Sequence, residues 1–68
     1  MTNDQFDALA ELMRLRQSSS REGARLVFVE GKSQSEAARQ CGLSPQNIND
    51  RVRSIRHALT LIEVISRV

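Results

Sequence analysis

Four times in 68 residues the chain spells the beginning of a helix. Thr2 is followed three positions later by Gln5, Ser19 by Glu22, and Ser33 by Glu36. That is the spacing of a reciprocal capping pair, in which each side chain satisfies an orphan backbone N–H of the first turn. Ser44 followed by Pro45 is a fourth start, with proline at the first helical position, where its missing N–H costs nothing. These starts predict an all-α fold: a compact four- to five-helix domain spanning residues 1–68.

The segments between the starts agree with helices. From about Asn3 to Leu15, Phe6, Leu9 and Met13 fall on one stripe with Leu12 beside it, and the serine run Ser18 to Ser20 ends that helix. A second helix is expected from about Ser20 to Glu30, closed by Gly31. Its apolar run Leu26 to Val29 would also suit a buried strand, but the cap before it and the glycine after it favour a helix. A short third helix, Gln34 to Cys41, and a fourth from Pro45 with no later breaker complete the chain.

A domain this small has a marginal core unless its helices pack well or two copies associate. Trp and Tyr are absent and Phe occurs twice, so the core is expected to rest on Leu, Ile, Val, Met and Ala. Phe6 and Phe28 are read as core. The single cysteine, Cys41, cannot form an internal bridge, no N-terminal apolar run resembles a signal peptide, and no stretch approaches a membrane span. A reduced, cytoplasmic, soluble protein without membrane attachment is expected. One His and one Cys supply neither a usual zinc site nor an ordered catalytic triad, so no cofactor, no metal, no enzymatic activity and no small-molecule substrate are expected. The net charge of +2 hides an asymmetry: Asp4, Asp7 and Glu11 precede every base, whereas Arg51, Arg53, Arg56 and His57 crowd one later segment. Positive charge gathered on one element points towards nucleic acid more than the total does.

The stretch SQSEAARQCGLSPQNINDRVRSI gives that charge a geometry. Gly42 stands where the third helix ends and the chain turns sharply, a position that favours positive φ. Leu43 plugs the corner, and Ala37 and Ala38 are small because the next helix crosses close above them. This is the pattern of a helix-turn-helix, whose second helix enters the DNA major groove. On a wheel of about 100° per residue centred on Ile48, Val52, Ile55, Leu59 and Ile62 fall inward. Gln46, Asp50, Arg53 and His57 face away, with Asn49 and Arg56 on one flank and Asn47 and Ser54 on the other. Amides read adenine bidentately, and arginine reads guanine or grips phosphate.

From about Thr2 to Ile55 the chain resembles the KorA/TrfB group of plasmid transcriptional repressors, through TNDQF, ARLVFVEGKSQ and CGLSPQNINDRVRSI. Gln5-Phe6, Ala24-Arg25, Gly31-Lys32, Gln34, Gly42-Leu43 and the Ile48, Val52, Ile55 spacing carry the likeness. The chain departs from the family pattern at Asp50, where a glutamine is usual, and at Pro45, where a base is usual. The resemblance implies a homodimeric repressor on palindromic operators of plasmid maintenance or transfer genes.

The expected DNA-contacting set is Lys32, Ser33, Gln34, Arg39, Ser44, Pro45, Gln46, Asn47, Asn49, Asp50, Arg53 and His57. Ordinary surface roles stand beside this for Arg39 and His57, and Arg51 lies nearer the inward stripe, where packing of its stem competes with contact. Ser44 and the first-turn N–H groups suit a phosphate. If the fourth helix continues, Leu61, Val64, Ile65 and Val68 project away from the Ile48 stripe. Together with Leu59 and Ile62 they form a segment, about 58–68, expected to bury itself against a second copy; its β-branched content also permits a strand. The rival to a DNA-binding repressor is a helix-turn-helix adaptor that docks protein instead, since fold alone does not fix function.

Overall fold

The structure is a computed structural model that describes residues 1–67. The described residues form four helices, α1 (Asn3–Leu12), α2 (Ser19–Phe28), α3 (Gln34–Cys41) and α4 (Pro45–Ser66), and no strand. The Leu26 to Val29 run lies at the end of α2, so the strand alternative falls. The expected segment about 58–68 continues α4 as helix to Ser66; Val68 lies outside the described residues.

Capping follows the chain's spelling, with three departures. At α1 the reciprocal pair forms in full: the Gln5 N–H donates to Thr2 Oγ1 at 3.1 Å, and the Thr2 N–H donates to Gln5 Oε1 at 2.9 Å. The helix ends three residues before Leu15, well ahead of the serines. Arg14 takes a left-handed conformation (φ 56°), Leu15 N–H donates to the Ala10 carbonyl at 2.8 Å, and Arg14 N–H donates to Glu11 at 3.0 Å. This double closure usually uses glycine. Here the side chain of Leu15 folds back onto the core around Phe6, and Arg21 Nη1 donates to the Leu15 carbonyl at 3.1 Å, which offsets the strain. The second departure is at α2, capped by Ser18 and not Ser19. Ser18 Oγ accepts the Arg21 N–H at 3.2 Å, and Glu22 is drawn instead to Arg25, whose Nε lies 2.9 Å from both carboxylate oxygens.

At α3 the Ser33 hydroxyl oxygen accepts the Glu36 N–H at 3.1 Å, while the Glu36 carboxylate turns towards Lys32 at 3.8 Å instead of completing the pair. Gly42 ends this helix at φ 67°, and Leu43 N–H closes back on the Ala38 carbonyl at 2.8 Å. Two residues later α4 begins.

The core lies in two adjoining clusters bridged by α2 and α4. Phe6, Leu9 and Ala10 of α1 meet Ala24 and Ile55; Leu26 meets Ala37, Ala38, Ile48 and Val52. Burial of side chains the size of Phe6, Ile48 and Ile55 stabilises by roughly 1.5–3 kcal/mol each. Ile48, Val52 and Ile55 are the inward stripe of α4 that the wheel predicts, and Leu59 and Ile62 continue it, half-buried, against the α1 cluster. Ala37 and Ala38 are buried where α4 crosses. A third close approach has no counterpart in the sequence reading. A Cβ on Gly23 of α2 would stand 2.8 Å from Leu43 Cδ1 and 2.9 Å from Ile48 Cδ1, so a bare backbone at 23 lets the α3–α4 corner seat itself. At a rise of about 1.5 Å per residue, α4 runs about 33 Å along a molecule whose longest extent is 40 Å.

Candidate nucleic-acid interface

The Gly42 turn fixes where α4 starts, and the start fixes which polar groups its first turn offers. Ser44 is the cap: its Oγ accepts the Asn47 N–H at 3.1 Å and its carbonyl accepts the Ile48 N–H at 3.2 Å. Pro45 has no N–H. Among the described residues the Ser44 and Gln46 N–H groups have no acceptor within the chain and, with the Ser44 hydroxyl proton, are left to an outside one.

With Ile48, Val52 and Ile55 buried, Gln46, Asp50, Arg53 and His57 are all exposed on the opposite side of α4. Two shallow depressions run along this face. Ser44, Gln46, Asn47, Asp50, Arg51 and Ser54 line the first, and Asp50, Arg53, Ser54, Arg56 and His57 line the second. Asn49 and Arg51 are half-buried, on opposite flanks of the helix. A third groove lies between α3 and α4, lined by Gln34, Ser35, Ala38, Arg39, Leu43, Pro45 and Ile48; it brings exposed Arg39 and half-buried Gln34 beside the start of α4. Lys32 and Ser33 sit at the head of α3, Lys32 engaged with Glu36 and the Ser33 oxygen engaged as cap.

Much of the positive charge elsewhere is held in ion pairs, although among the described residues Arg14 and Arg16 are not. Arg21 pairs with Asp7 at 3.4 Å, Arg25 with Glu22 and with Glu30 at 2.8 Å, and Arg67 with Glu63 at 2.8 Å. Among the described residues, Arg39, Arg51, Arg53, Arg56 and His57 have no carboxylate within ion-pair distance. The hydrogen bond from Arg25 holds the Glu22 carboxyl below the usual carboxylate value, and Glu22 and then Glu30 push the Arg25 guanidinium up in turn. Those three groups steady α2 and stand apart from the α4 face.

Two intramolecular bonds shape the amides of the face. Gln46 Nε2 donates to Asp50 Oδ1 at 2.9 Å, one turn further along α4. The Ser20 hydroxyl of α2 donates to Asn47 Oδ1 at 2.8 Å. Ser20 has no place among the residues expected from the sequence, and no local signal marks it, because the two partners are 27 positions apart. Arg56 and Ser54 also join the lining, from the flanks where the wheel puts them.

At the far end of α4, Leu59 and Ile62 serve the chain's own core, whereas Leu61, Val64 and Ile65 are exposed at 50%, 54% and 70%. Leu12 of α1 is likewise exposed, and Met1, Ala8, Leu9 and Leu12 border an apolar groove with Leu59 and Ile62. No described helix is long and apolar enough to cross a membrane, and no described group of three or more His, Cys, Asp or Glu side chains is placed to hold a metal.

A family model described as KORA, TrfB plasmid transcriptional repressor, matches residues 1–62 of the chain. No curated protein and no solved structure matches it.

Proposed function

The chain belongs to the family of TrfB plasmid transcriptional repressors, and on that premise we propose that it binds double-stranded operator DNA sequence-specifically, with α4 as the recognition helix of a helix-turn-helix. The observation that carries this reading is the outward face of α4. It combines amides with Arg53, Arg56 and His57, none of which has a carboxylate partner among the described residues. A helix built to dock protein would expose apolar or aromatic side chains there, and this stretch of α4 exposes none.

In this reading α3 and the Gly42 turn brace α4, and Gln46, Asn47, Asn49, Asp50, Arg53 and His57 face the major groove. Lys32, Ser33, Gln34, Arg39, Ser44 and Pro45 flank it towards the phosphates. The operator is a palindrome in the promoters of plasmid maintenance or conjugative-transfer operons, bound by a homodimer. Exposed Leu61, Val64 and Ile65 give the dimer its apolar surface, and Leu59 and Ile62 support them from within the protomer. The dimer places two α4 helices about 34–36 Å apart, one turn of DNA. The family is one of repressors and not of enzymes.

Selection of bound duplexes from a random pool, followed by titration, tests the reading. An inverted repeat is the expected winner, with affinity falling steeply as salt rises, because bound phosphates release counterions. Arg53→Ala is expected to weaken binding by about 1–3 kcal/mol at one base position if Arg53 reads guanine, and to weaken all duplexes alike if it holds phosphate. No change in either removes Arg53 from the interface. Leu61→Glu with Ile65→Glu is expected to convert the dimer to monomer in sedimentation with helix content intact; an unchanged dimer rejects this surface.

A further inference from the structure

Gln46 and Asp50 are both exposed on the outward face of α4, yet they are not independent of each other. A carboxylate at neutral pH only accepts hydrogen bonds, so the 2.9 Å contact from Gln46 to Asp50 Oδ1 fixes which end of the amide is nitrogen. One amide hydrogen is spent on Asp50. What Gln46 offers outward is then one acceptor, Oε1, beside one remaining N–H. Asn47, its neighbour, is tethered with the opposite polarity: its oxygen takes the Ser20 hydroxyl, which leaves its amino group as the outward donor.

Resting on the DNA-reading role given above, we propose that Asp50 is a positioning residue that orients the Gln46 amide to read adenine and to reject guanine at one position of each half-site. Adenine presents an N6 amino donor beside the N7 acceptor, which matches an acceptor and a donor side by side. Guanine presents two acceptors, O6 and N7, and would need both Gln46 hydrogens turned towards it. Asp50 holds one of them, and its own carboxylate repels O6. An unrestrained glutamine at 46 would swivel to meet either purine. Discrimination comes from this built-in penalty against the wrong base as much as from the contact with the right one.

The test is selection from a randomised duplex pool with wild type and the variants Gln46→Ala, Asp50→Ala and Asp50→Asn, sequencing each bound fraction. All three substitutions are at exposed positions, and circular dichroism checks that each variant is helical. Wild type should enrich adenine at one position per half-site, and Gln46→Ala should lose that preference. Asp50→Ala should admit guanine there, lowering the adenine-to-guanine ratio about tenfold. Asp50→Asn can donate as well as accept, so it no longer fixes which end of the Gln46 amide is nitrogen and should relax the adenine preference in the same direction as Asp50→Ala. Both Asp50 variants should bind every duplex more tightly through loss of a negative charge near phosphate, so tighter binding alone carries no weight. An Asp50→Ala matrix identical to that of wild type overturns the proposal while leaving the DNA-reading role standing. So does loss of a cytosine preference, which would make Asp50 itself the base contact. A wild-type chain that enriches no sequence overturns both.

Discussion

Gly42 offers an unusually clean measurement of what the turn between α3 and α4 costs to build from another residue. Its φ is 67°, and nothing lies within 4 Å of where a Cβ would be. Substitution there meets no neighbour, so its whole cost is conformational. Alanine in the left-handed region is less stable than glycine by roughly 1–2 kcal/mol, and stiffening of the unfolded chain returns about 0.4–1 kcal/mol. Gly42→Ala should therefore cost about 1 kcal/mol, a fall in Tm of about 4–8 °C for a domain of this size. Asparagine tolerates the left-handed region and should cost less, whereas valine, branched at Cβ, should cost more. The assay is thermal melting followed by circular dichroism at one fixed protein concentration, since association makes Tm concentration-dependent. Gly31, with φ 73° and equally open surroundings, is the internal control and should respond to alanine alike. A Gly42→Ala chain that melts with the parent, or asparagine, alanine and valine variants that melt together, would refute a conformational origin.

Gly23→Ala makes the opposite case: the backbone there is helical and alanine improves helix propensity by about 1 kcal/mol, but the new Cβ meets Leu43 and Ile48 below 3.0 Å. Ile48 is 1% exposed and has little room to yield, so overpacking of about 1–3 kcal/mol should win; a chemical-denaturation midpoint at or above that of the parent would show that the corner relaxes. The Glu22 carboxyl is held low by its bond from Arg25, so its contribution is fully present above the ordinary carboxylate value and is lost as pH falls through the lowered one. The gap in urea midpoint between wild type and Glu22→Gln should thus be open at neutral pH and should narrow as pH falls through the lowered carboxyl value. Because Glu22 is substantially exposed, the gap should be small and should shrink with added salt; a gap constant with pH would refute it.

What the chain spells locally is what the sequence determined by itself. Capping by Thr2, Ser33 and Ser44, the left-handed glycine at 42, and the inward spacing of Ile48, Val52 and Ile55 all act over three to seven residues, within reach of one or two helical turns. Four helices, the outward face of α4 and the family likeness follow from those. Tertiary structure decided the rest, because contact between distant residues depends on the angle and depth at which helices pack. Arg14 ends α1 in a glycine's conformation because Leu15 finds a place on the core and Arg21 holds its carbonyl. Gly23 matters through Leu43 and Ile48, about twenty positions away. Ser20 reaches Asn47 only once α2 lies beside the start of α4. The apolar end of α4 is divided the same way: α1 covers Leu59 and Ile62 but not Leu61, Val64 and Ile65, a division set by which side of one helix another happens to touch.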